Sequence, residues 1–265
     1  MPRTDFDRSL KEVQDQLLVL GSMVEKSIDR SVLALKNRDL SLSKTVIDDD
    51  DLIDDLRNQI EEKCISVIAT QNPMAGDLRT VISVLYIAEE LERMGDYAEG
   101  IAKISVSMDK EPMLKPLVDI PRMADKSSKM LSRSLDALVN RDEQLAIQVC
   151  KDDSEVDELY NQVYRELLTF MISDPKTIER ATYLLWVSHN IERIADRATN
   201  ISERVLYLIT GKIFDIHGRE ERGARRNTLT LMRAMGFGKW TLENEPSPRE
   251  SIEVGAVSGA FFMMD

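Results

Sequence analysis

A chain that carries the same string twice, about a hundred residues apart, is restricted to folds that accept one supersecondary unit twice. Ala34-Leu35-Lys36-Asn37-Arg38-Asp39 returns as Ala137-Leu138-Val139-Asn140-Arg141-Asp142, 103 residues later, and Asp54-Asp55-Leu56 returns at the same offset as Asp157-Glu158-Leu159. After Pro73 and Pro175 the offset falls to 100, so that Leu91-Glu92-Arg93-Met94-Gly95-Asp96 matches Ile191-Glu192-Arg193-Ile194-Ala195-Asp196. The two copies differ in length only at their second inter-helix turn.

Hydrophobic spacing says what one copy contains. Phe6, Leu10, Val13, Leu17, Leu20, Val24, Ile28, Val32 and Leu35 recur every three or four residues, the period of one long amphipathic helix. A second stripe runs through Val46, Ile53, Leu56, Ile60, Cys64 and Val67 and must stop at Gln71-Asn72-Pro73, because proline cannot continue a helix interior. A third helix is expected from Asp77, read as its N-cap, through Val81, Val84, Leu85, Ala88, Leu91 and Met94 to about Met108. Pro112, Pro116 and Pro121 then mark a linker, and Met123–Asn140, Glu143–Ser173 and Lys176–Thr210 repeat the three-helix order up to Gly211 as a C-cap. The expected architecture is all-α, with two tandem pseudo-symmetric three-helix bundles. Residues 1–110 form the first unit, 111–121 the linker, 122–214 the second unit and 215–265 an irregular tail. With 5% aromatics and few Gly or Pro inside these stretches, the composition favours helix over sheet.

Charge removes several classes of function. A net charge of -12 repels DNA and anionic membranes, so neither is an expected partner. The tail from 216 to 265 carries 7 basic and 7 acidic residues, so the acidity belongs to the helical part. The tail reads as a segment without separate function, or as a docking segment through Phe261, Phe262 and Met263. Cys64 and Cys150 have no CxxC partner and read as small core residues in a reducing compartment. The N-terminus lacks an apolar secretory region, and no run approaches the roughly 18 to 20 apolar residues of a membrane span. A cytoplasmic protein without membrane insertion is expected.

The candidate site is acidic. Asp50 and Asp54, Glu92 and Asp96, Asp153 and Asp157, and Glu192 and Asp196 are each four apart, which places each pair on one helix face. Like charges at that spacing destabilise a helix by about 0.2 to 0.5 kcal/mol per pair. Their recurrence in both copies therefore asks for something cationic between them. One answer is a metal: antiparallel neighbours bring Asp50 and Asp54 towards Glu92 and Asp96, an all-oxygen set suited to hard ions such as magnesium, calcium, manganese or iron. Another is ion pairing by the interleaved Arg93 and Arg193. His189 and His217 are the only histidines, too few for a di-iron oxidase built on Glu-x-x-His pairs, and His189 reads as a neighbour of the acidic patch. There is no GxxxxGK[ST] loop and no nucleophile-base arrangement, so no catalytic site is expected. Trp186, which occupies the position of Tyr86 in the other copy, reads as core.

The strings QNPMAGDLRTVISVLYIAEELERMGDYAEGIAK and IERIADRATNISERV are similar to the two copies of the PhoU family signature, whose hallmark is a repeated Glu/Asp-x-x-x-Asp motif. The resemblance covers about residues 5 to 215, and the motif residues are intact. It departs at Gly100, where many relatives carry an Asn that the second copy keeps as Asn200, and in the length of the tail. It implies a six-helix, pseudo-two-fold, often dimeric protein that binds divalent or trivalent metal ions through Asp50, Asp54, Glu92, Asp96, Asp153, Asp157, Glu192 and Asp196. It further implies contact with the ATPase subunit of the phosphate ABC transporter and with the phosphate-sensing histidine kinase, lowering phosphate uptake and starvation signalling when phosphate is ample. Two other readings stay open, a metalloenzyme built on the carboxylate clusters and a plain helical scaffold.

Overall fold

The computed structural model describes residues 3–214. The tail from 215 on, including His217 and the docking reading through Phe261, Phe262 and Met263, lies outside the described residues. Among the described residues there are six α-helices, two short 3-10 turns and no strand: α1 (Arg3–Asn37), α2 (Leu40–Gln71), α3 (Gly76–Ser107), α4 (Asp119–Asn140), α5 (Glu143–Ser173) and α6 (Ile178–Thr210). The expected all-α architecture is what the chain adopts.

The apolar stripes become the core: on α1, Val13, Leu17, Leu20, Val24, Ile28 and Leu35 are all buried. The repeated Asn-Arg-Asp string proves to be a turn. Arg38 and Arg141 take left-handed backbone at φ 57 and 51. The next amide then reaches back over the helix end, Asp39 N–H to Ala34 O at 2.9 Å and Asp142 N–H to Ala137 O at 3.0 Å. Each Asp also caps the following helix, its carboxylate accepting from Leu42 N–H at 2.9 Å and from Leu145 N–H at 3.0 Å. One hexapeptide thus ends one helix and starts the next, which is why it recurs.

Three helix starts differ from expectation. Asp77 is not the N-cap of α3, because the helix begins one residue earlier and Ala75 holds the cap position at φ 49 without a side-chain bond. Asp77 sits instead in the first turn, where its charge favours the positive end of the helix. Pro121 lies inside the first turn of α4 rather than in the linker, a position that does not need its missing N–H. Before α6, Pro175–Thr177 form a 3-10 turn, which Asp174 caps by accepting from Lys176 N–H at 3.1 Å.

Within each half the three helices pack on one another, and the halves meet where α3 lies on α6 and α1 on α4. The α3–α6 contacts run in opposite chain order, from Tyr86 with Arg204 through Glu90 with Asn200 to Tyr97 with Arg193, so the two helices are antiparallel. At the centre of this seam the buried Glu90 accepts from Arg197 Nη1 at 3.3 Å and Asn200 Nδ2 at 3.0 Å. The repeat-related position shows why Gly100 departs from the pattern: a Cβ there would stand 3.0 Å from Asn190 Nδ2. Asn200 therefore serves the seam, and Gly100 leaves room for Asn190, the counterpart of Glu90. The connection from α3 to α4 is pinned as well. Arg38 donates to Asp109 O at 2.6 Å, Arg180 pairs with Glu111 at 3.3 Å and Lys115 pairs with Glu166.

Candidate functional site

The acidic pairs sit where α2 meets α3 and where α5 meets α6. In the first half, α2 contributes Asp50 and Asp54 and α3 contributes Glu92 and Asp96, and burial first, then the charge of neighbouring carboxylates, raises the pKa of each. Asp50 is the most perturbed: burial first, then the charges of Glu99, Asp96 and Asp54, push it up to about 7, against the opposing pull of Lys103. It can lie this deep because Gly95 faces it, where a Cβ would stand 3.2 Å from Asp50 Oδ1 and from Ile53. In the second half, Asp153 is buried on α5, and Glu192 on α6 is pushed up to about 7 by burial and then by Asp196 and Asp157.

All eight expected residues are thus brought into two clusters, four to each half. Two neighbours stand out, Glu99, which was not foreseen, and His189, which was expected beside the acidic patch. Glu99 joins the first cluster and forms an ion pair with Lys103 at 2.6 Å. Its spacing of seven from Glu92 places it on the same helix face, a signal that four-residue spacing alone overlooks. The second is an exchange at the rim. In the first half Arg57 and Arg93 grip Glu89 at 2.6 and 3.1 Å. The repeat-related positions hold Tyr160 and His189, with His189 Nδ1 3.2 Å from Glu192 Oε2. Arginine pairing accounts for only part of the acidity, since Arg93 serves Glu89 rather than the pair it interleaves, while Arg193 does meet Asp196 at 3.3 Å.

Three carboxylate oxygens bear on whether a cation belongs here. Asp50 Oδ1 and Asp54 Oδ1 are buried without a hydrogen-bond donor, and Glu192 Oε2 is buried with the His189 imidazole 3.2 Å away but not in hydrogen-bond geometry. A buried acceptor without a donor is costly, and more so when it is charged and among like charges. A donor set of oxygens with unsatisfied lone pairs fits hard ions. As the side chains stand, no group of three among the described residues is arranged to hold an ion, so binding would require carboxylate rotamers to close inward. Other chemistry is poorly served. Burial lifts the Cys64 and Cys150 thiols to about 11 and about 12, leaving them protonated and inert. Trp186, expected in the core, is 54% exposed and packs edge-on against Tyr183 at 5.8 Å.

The PhoU domain matches the chain twice, over residues 17–105 and 120–205. A phosphate-specific transport system accessory protein PhoU homolog from Clostridium acetobutylicum is 40% identical over 218 residues, 82% of this chain and 100% of the relative. The homolog from Aquifex aeolicus is 39% identical over 216 residues, covering 98% of its length. Among solved structures, PhoU from Pseudomonas aeruginosa superposes with a TM-score of 0.75 at 35% identity, covering 78% of this chain and 100% of that one.

Proposed function

The chain belongs to the PhoU family, and from that premise we propose that it is a cytoplasmic, non-enzymatic regulator that lowers phosphate uptake and phosphate-starvation signalling by contact. The observation that carries the reading is likeness along the whole length of relatives named as accessory proteins of phosphate-specific transport, in both halves of the fold. Its partners are the ATPase subunit of the phosphate ABC transporter and the phosphate-sensing histidine kinase. Two repeat-related faces suit partners that are themselves two-fold, and suit assembly as a homodimer. Protonated, buried thiols support binding without turnover. No helix of the described residues is long and apolar enough to cross a membrane, which fits a protein that reaches the transporter from the aqueous side.

The carboxylate clusters hold divalent or trivalent hard ions, iron, manganese, magnesium or calcium, in this reading. Asp50, Asp54, Glu92 and Asp96 serve the first half and Asp153, Asp157, Glu192 and Asp196 the second. An ion there would neutralise the mutual repulsion and tie α2 to α3 and α5 to α6. The chain's own part is to keep one oxygen each of Asp50 and Asp54 buried and short of a donor. The test is deletion of the gene. Uptake of phosphate and expression of alkaline phosphatase should both rise in phosphate-rich medium. Unchanged levels, in a strain with no paralogue, would overturn the reading.

A further inference from the structure

The rims of the two carboxylate clusters are built from different chemistry at matching positions of the repeat. In the first half Arg57 pairs with Glu61 at 2.7 Å and with Glu89 at 2.6 Å, and Arg93 pairs with Glu89 at 3.1 Å. These four charged side chains satisfy one another, and none of their nitrogens can bind a metal, because a guanidinium has no lone pair to give. In the second half the same four positions hold Tyr160, Tyr164, His189 and Arg193. The rings gather there, with Tyr160 lying 6.5 Å from Tyr164 and 6.3 Å from His189 between centroids. Among the described residues His189 is the one histidine, so the second cluster alone has an imidazole nitrogen beside it.

That imidazole is placed as a ligand would be. His189 Nδ1 stands 3.2 Å from Glu192 Oε2, yet the two are not hydrogen-bonded, and the oxygen is buried with no other partner. Two ligand atoms that each lie about 2.1 Å from an ion are about 3.0 Å apart across an octahedral edge and about 3.4 Å apart across a tetrahedral one. Nitrogen and oxygen standing side by side at such a separation, with neither lone pair spent on the other, are spaced to share a cation. The His189 side chain is 54% exposed, which leaves an ion a way in, while that of Glu192 is 22% exposed, which leaves the oxygen short of water. Asp196 follows His189 by seven residues and so lies on the same face of α6. A plain ion pair between His189 and Glu192 would use the charge of the imidazole and not its lone pair, so the two roles separate by substitution.

We propose that His189 is a nitrogen ligand of the second cluster, acting with Glu192 and with oxygens of Asp153, Asp157 and Asp196, and that it makes this half select zinc, ferrous iron and similar divalent ions over magnesium, calcium and manganese. Imidazole suits zinc, iron and nickel, whereas carboxylate oxygen suits magnesium, calcium and manganese, so the exchange of Glu89 for His189 is enough to divide the two halves by metal. The first cluster, with its rim closed by Arg57 and Arg93, keeps an all-oxygen set. The proposal rests on the reading of the carboxylate clusters as ion sites and adds which half takes which class of ion.

Binding of zinc alone, and separately of manganese alone, to the metal-free full chain decides it, in an Asp50→Asn/Asp54→Asn background that leaves the second cluster as the intact one. Ion content is read by elemental analysis after dialysis, and the imidazoles by long-range proton–nitrogen spectra. The chain has two histidines, and zinc should shift the ring-nitrogen signals of one of them, the set that His189→Gln removes. His189→Gln should weaken zinc binding at least about tenfold and manganese binding far less. His189→Arg keeps a cation beside Glu192 and should lose zinc as fully, with circular dichroism unchanged in both variants because the site is exposed. Zinc binding that survives His189→Gln or His189→Arg, an equal loss of manganese, or a zinc shift confined to the other histidine would each overturn the proposal. Failure of the underlying reading looks different: the unaltered chain then binds neither zinc nor manganese, and the proposal falls with it.

Discussion

Replacing Asp50 by Asn should stabilise the metal-free protein at pH 8 and do little at pH 3, below the unfolded pKa. The folded protein raises this carboxyl from 3.8 to about 7. A group whose folded pKa lies above its unfolded value makes the folded state bind the extra proton between the two, so stability falls as pH rises from about 4 to about 7 and stays reduced above. A gap of about 3 units corresponds to about 4 kcal/mol at 1.36 kcal/mol per unit. Relaxation of the neighbouring Asp54, Asp96 and Glu99 and entry of water bring the expected figure to about 2 kcal/mol. Asn keeps the shape and removes the charge. For a domain of this size about 2 kcal/mol moves the melting temperature by about 4 to 8 °C. The assay is calorimetric unfolding of both proteins with chelator present, at pH 3 and pH 8. An upward shift confined to pH 8 is expected. A downward shift at pH 8, or the same shift at both values, would refute the reasoning, because either result means that Lys103 or a donor already satisfies the ionised carboxylate.

Removing Glu90 as Glu90→Ala leaves Arg197 buried in the seam without its partner and should cost about 3 kcal/mol, read as a lower midpoint in urea. Arg141→Gly relieves left-handed backbone at an exposed C-cap and should stabilise by about 1 kcal/mol, seen as a raised midpoint. Asp96→Ala with Asp196→Ala should lower the iron, manganese, magnesium or calcium that copurifies without chelator, measured by elemental analysis; unchanged content would show that the ligand set is wrong.

Helices and their order were legible because long three-and-four stripes such as Phe6 to Leu35 admit one period only. Helix starts were less so. Asp77 looks like a cap by residue type, but whether a side chain caps depends on the backbone angle before it, and Ala75 at φ 49 turns the chain one residue early. The carboxylate clusters were legible from spacing repeated at a fixed offset. Their depth was not, since Asp50 is buried by virtue of Gly95 on another helix, a pairing visible only once α2 and α3 are docked. The same holds for Trp186 and Tyr86. Both lie at one position of the repeat, but Tyr86 is stacked under Arg204 from α6, whereas the repeat-related Ile104 offers Trp186 no cation.

The central claim is regulation by contact, and stoichiometry tests it most directly. Phosphate uptake can be measured in vesicles carrying the phosphate transporter with its ATPase subunit, while the purified protein is titrated in from the ATPase side. The account predicts that uptake falls to a plateau once protein and transporter are present in comparable amounts, that the level is constant in time, and that raised salt restores uptake by screening the charged contact. Inhibition that deepens with time at a small fraction of the transporter concentration would mean turnover, and unaltered uptake at excess protein would mean no contact; either result contradicts the account.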